Sequence, residues 1–84
     1  MKKYKYVEVK WCDATGNSAV IDIDEAMKLK PAKVTSHGYL LKETNDFIII
    51  CSTMYEDGMV SEIVCIPKKW VLKITQIRKK KVVK

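Results

Sequence analysis

From residue 33 to residue 77 the chain keeps a two-residue rhythm broken by turn residues, and that rhythm admits little but antiparallel sheet. In residues 33–43, Val34, Ser36, Gly38 and Leu40 fall on one face and Thr35, His37, Tyr39 and Leu41 on the other. That length is large for one flat strand, and the internal Gly38 predicts a bulge or sharp bend. Thr44, Asn45 and Asp46 form a tight turn. In residues 47–55 the run Ile48, Ile49, Ile50 predicts burial on both faces. Glu56, Asp57 and Gly58 make the next hairpin turn, because Asp-Gly favours positive φ. Residues 59–66 set Val60, Glu62, Val64 and Ile66 against Ser61, Ile63 and Cys65. Pro67, Lys68 and Lys69 are suited to one 3₁₀ turn. Residues 70–77 set Trp70, Leu72 and Ile74 against Val71, Lys73 and Thr75, and Trp11 and Trp70 are both expected as core anchors.

Upstream, residues 4–11 also alternate, with Val7, Val9 and Trp11 opposite Tyr6, Glu8 and Lys10. Residues 12–18 carry loop chemistry. Asp22 and Glu25 have capping-box spacing, and Pro31 stops whatever follows, so residues 22–30 are expected as a short helix. A strand at residues 19–23 is the competing reading. The class is mainly β: five strands, with one short helix in the first long loop.

Size bounds what such a sheet can enclose. A chain of 84 residues makes one domain. Folding buries about 64% of its surface, which leaves little room for an enclosed active site. The net charge is +6, but residues 78–84 hold five of the 16 basic groups, so residues 1–77 are nearly neutral. The division expected is a small β-barrel domain over residues 1–77 and a basic tail over residues 78–84. No apolar run approaches the ~20 residues that span a bilayer. The basic start lacks the apolar stretch of a signal peptide. Three dispersed cysteines, Cys12, Cys51 and Cys65, suit free and mostly buried thiols, with Cys51 and Cys65 placed for core packing. A cytoplasmic protein without a membrane partner is expected.

Catalytic chemistry is sparse. His37 is the single histidine, and on a strand its neighbour Ser36 points to the opposite face. Asp22, Asp24 and Glu25 are explained by helix-start chemistry. Three separate glycines make no phosphate-binding loop. Cys12, Cys51, Cys65 and His37 match a zinc set in number but lack its paired spacing. Neither an enzyme nor a metal or other cofactor is expected.

The element order resembles the SH3-like or Sm-like small β-barrel, with residues 12–31 in the long first loop and Pro67-Lys68-Lys69 in the 3₁₀ link. A closed barrel would hide the edges that an open five-stranded sheet exposes. Three segments resemble short uncharacterised proteins encoded by bacteriophages: Val9-Lys10-Trp11-Cys12-Asp13, Val34-Thr35-Ser36-His37-Gly38-Tyr39-Leu40, and Val64-Cys65-Ile66-Pro67-Lys68-Lys69-Trp70-Val71. That resemblance implies origin and fold, and so a place in a host cell's cytoplasm. By analogy it extends to an anti-defence role, the sequestering of a host nucleotide immune signal.

The functional expectation is a non-catalytic module for a phosphate-bearing ligand, either single-stranded nucleic acid or a small nucleotide. Asp13, His37, Tyr39, Lys68 and Lys69 are the candidate contacts, with Lys73 adding charge and Tyr4, Tyr6 and Tyr55 adding stacking surface. Arg78, Lys79, Lys80 and Lys81 form a tail able to follow phosphates. An adaptor or inhibitor that grips a host protein is the alternative. Under either reading a homo-oligomer is expected, because open strand edges pair between copies.

Overall fold

The structure, a computed structural model, describes residues 3–16 and 18–78. Five strands form one antiparallel sheet: β1 (Tyr6–Asp13), β2 (Ala32–Glu43), β3 (Phe47–Met54), β4 (Val60–Pro67) and β5 (Val71–Gln76). A 3₁₀ turn at Lys68–Trp70 links β4 to β5. Helix α1 (Ile23–Ala26) is one turn, capped by Asp22, whose carboxylate accepts from the Glu25 N–H at 2.8 Å. The expected cap is present, but the helix expected to Lys30 ends at Ala26 because no residue in it is buried. Short helices depend on packing for their stability, and here nothing packs.

The strand order is β4-β3-β2-β1-β5. β4 and β5 stand at its two ends and do not pair, so the expected closure into a barrel is not made; the sheet is open. It is nevertheless strongly curled. The core joins Val7, Val9 and Trp11 of β1 to Ile48 and Ile50 of β3 and Ile66 of β4. In a flat sheet β1 and β4 would lie about 14 Å apart, beyond side-chain contact. Each such side chain contributes roughly 1.5–3 kcal/mol by leaving water. Trp11 satisfies its one polar atom by donating from Nε1 to Ser36 Oγ at 3.1 Å.

Curling is concentrated in β2. Residues 32–39 pair with β1, ending at Tyr6↔Tyr39, and pairing with β3 begins at Tyr39↔Cys51. The strand is therefore handed from one neighbour to the other just after Gly38. A Cβ built on Gly38 would lie 2.5 Å from the Cys51 carbonyl oxygen and 3.0 Å from its carbon. Only a residue without a side chain lets the β3 backbone come this close. At Gly38 the pairing with β1 is unbroken, and the register shift in β2 lies between Leu40 and Lys42.

Both turns are built by their own side chains. Thr44 Oγ1 accepts from the N–H groups of Asp46 and Phe47 at 3.1 and 3.0 Å. Gly58 takes φ 90 between β3 and β4, and Asp57 Oδ1 accepts from Met59 N–H at 3.0 Å.

β5 departs from simple alternation. Lys10 pairs with Lys73 but Trp11 pairs with Val71, so Leu72 is an extra residue in a bulge. Val71 and Ile74 then face the core, and Trp70 and Leu72 are left 41% and 61% exposed. Trp11 is a core anchor and Trp70 is not, contrary to the expectation from phase.

Substituting Gly38→Ala should destabilise the fold by about 2–3 kcal/mol, the usual cost of overpacking. Urea unfolding measures it; wild-type stability would show that β3 does not approach at this point.

Candidate binding face

The inner face is taken up by the apolar core, and charged and polar side chains of the strands lie on the outer face. The register across β2, β1 and β5 sorts the outer side chains into rows. Thr35, Lys10 and Lys73 make one row, and His37, Glu8 and Thr75 the next. Tyr39 and Tyr6 make the third, and Lys33 stands opposite Cys12 beyond the first. Lys10, Lys33 and Lys73 are all exposed. Three ammonium groups thus share this face with one carboxylate, Glu8.

Two contacts order it. His37 Nε2 lies 3.1 Å from Glu8 Oε1, joining the middle row across the strands. The Tyr6 and Tyr39 rings meet edge to face, with centroids 5.1 Å apart and planes at 67°. That arrangement sets the positive edge of one ring against the negative face of the other. Ser36 lies on the opposite face holding Trp11, so Ser36 and His37 form no catalytic pair.

The five candidate contacts do not converge. His37 and Tyr39 share the outer face. Asp13, at the end of β1, accepts from Ala14 N–H at 2.9 Å and lies five register steps from His37, about 16 Å along the strand. Lys68 is bound at the other end, where its Nζ donates to Glu43 Oε2 and to Thr44 O, and its N–H donates to Asp46 O at 2.8 Å. It braces the 3₁₀ turn against the β2–β3 turn. Lys69 beside it is exposed. Arg78 is exposed past the end of β5, and Lys79, Lys80 and Lys81 lie outside the described residues. What sequence alone did not supply is the row of Lys10 with Lys73 and the pairing of Glu8 with His37. Alternation put Lys10, Glu8 and Tyr6 on one face, but only strand register shows what lies across from them.

The thiols occupy three environments. Cys51 is fully buried, Cys12 intermediate and Cys65 exposed on β4, where core packing had been expected. Burial pushes the Cys51 thiol above its ordinary value. Among the described residues no three His, Cys, Asp or Glu side chains gather to hold a metal, and no helix is long and apolar enough to cross a membrane.

No protein-family model, curated protein or solved structure matches this chain.

Alkylation of the native protein should modify Cys65 first, Cys12 more slowly and Cys51 last, read by peptide mass spectrometry. The raised Cys51 thiol is held neutral in the folded state. Its stabilising contribution is therefore complete below the ordinary thiol value and is lost as pH rises through the folded one. A Cys51→Ala variant should lose less stability than wild type when alkaline unfolding is compared with unfolding near neutrality.

Proposed function

We propose that the chain is a non-catalytic binding module for single-stranded nucleic acid, carried on an open, phage-type relative of the SH3-like or Sm-like small barrel. The strand order, with a 3₁₀ turn between β4 and β5, supports that architecture. The observation that carries the ligand class is the outer face of β2, β1 and β5, where the Tyr6–Tyr39 pair shares one face with Lys10, Lys33 and Lys73, two or more rows along the strands. Aromatic rings accept bases of any sequence by stacking, and ammonium groups follow the phosphates. A free nucleotide calls for a concave site that surrounds it. An exposed strand face suits an extended polymer. Arg78, two residues past β5, opens a basic run in the sequence that adds charge to the chain.

Fluorescence anisotropy with a labelled oligothymidylate tests the reading. Affinity should fall linearly on a log–log plot against salt, and each of Lys10→Ala and Lys73→Ala should reduce the slope by about 0.7. Tyr39→Ala should cost about 1–3 kcal/mol of binding. Removal of residues 78–84 should weaken binding without abolishing the Tyr39 effect. Binding that vanishes with the tail and ignores Tyr39 and Lys10 contradicts the assignment to this face.

A further inference from the structure

A second surface, independent of the proposed ligand, follows from the segment between β1 and β2. Residues 18–31 form an arm whose residues are all exposed, among them Val20, Ile21, Ile23, Met27 and Leu29. Five large apolar side chains on one short segment are an unusual concentration for a surface that meets only water. Elsewhere the molecule has an apolar groove of about 370 Å³, walled by Tyr4, Leu41, Met54, Met59 and Val60. Met54 and Met59 on its rim are themselves exposed.

We propose that the arm of one copy lies in the groove of a second copy, and that the exchange is reciprocal. Two observations select this occupant. The first is distance. Tyr4 precedes β1 and the arm leaves its far end, so the Tyr4 wall and the root of the arm are separated by about 30 Å of extended chain. Thr15 Oγ1 donates to Lys30 O at 2.7 Å, which ties the arm's two ends together at that root. A second copy laid antiparallel brings each arm to the other's groove, as two-fold symmetry requires.

The second is charge. The first half of the arm carries Asp22, Asp24 and Glu25, and the second half Lys28 and Lys30. At the groove, Lys3 and Lys5 flank Tyr4 and Lys42 follows Leu41, whereas Glu56 and Asp57 precede Gly58 at the hairpin end. Lys28 and Glu25 pair with each other at 3.0 Å, and the charges left, Asp22 and Asp24 against Lys30, match the groove with the acidic half of the arm toward Tyr4 and Leu41.

Sedimentation velocity on the full chain should show a concentration-dependent dimer. Ile23→Asp with Met27→Asp should weaken self-association about tenfold or more. The thermal transition, read at a concentration where wild type is also monomeric, should not move, because these side chains carry no packing within the copy. Lys42→Glu and Asp24→Lys should each weaken the dimer, and the two together should restore it; that rescue also fixes the direction of the arm. A chain that stays monomeric up to its solubility limit overturns the proposal. So does a dimer indifferent to the arm substitutions, as pairing through the edges of β4 and β5 would give, or one in which the charge swap gives no rescue.

Discussion

One close approach organises the molecule: the backbone of β3 at Cys51 against the bare Cα of Gly38. At that point β2 stops pairing with β1 and starts pairing with β3. The handover turns a row of five strands into a curled sheet whose inner side chains meet. Val7, Val9 and Trp11 can touch Ile48, Ile50 and Ile66 only because the sheet folds over on itself here. Without the bend the same residues would line one side of a flat ribbon with half its apolar surface in water.

The consequence for function is geometric. The core side chains fill the inner side of the curled sheet, so recognition is left to its outer side, to the apolar groove beside Tyr4 and to whatever projects from the sheet. On the convex side the register aligns lysines and tyrosines from three strands that are distant in sequence. The projecting arm is a separate matter: Val20, Ile23 and Met27 are left at least 74% exposed, and a second copy is the cover proposed for them.

Much of this was legible in the residues. The strands from 33 to 77 and both tight turns follow from alternation and from Thr44, Asp57 and Gly58. A glycine inside an overlong strand marks Gly38 as special, and the structure shows it as the point of close approach to β3. Other features depend on pairing, which alternation does not encode. A single bulge opposite Trp11 moves Val71 inward and sends Trp70 and Leu72 outward, so a phase argument assigns them wrongly. Asp22 announces a helix correctly, but its length depends on contacts that the arm lacks. Cys65 is exposed because it faces away from the buried Ile66 on β4, whereas Cys51 of β3 is covered where that strand meets Gly38. The residue types of Asp13, His37 and Lys68 suit one ligand, but the strand length between them keeps them apart.

The handover in β2 is tested most directly by cross-strand nuclear Overhauser contacts in a labelled sample. Tyr39 should show backbone contacts to Tyr6 on one side and to Cys51 on the other, with no ladder between β4 and β5. A β2 that contacts only one neighbour at Tyr39, or a continuous β4–β5 ladder closing a barrel, would contradict the open, curled sheet described above.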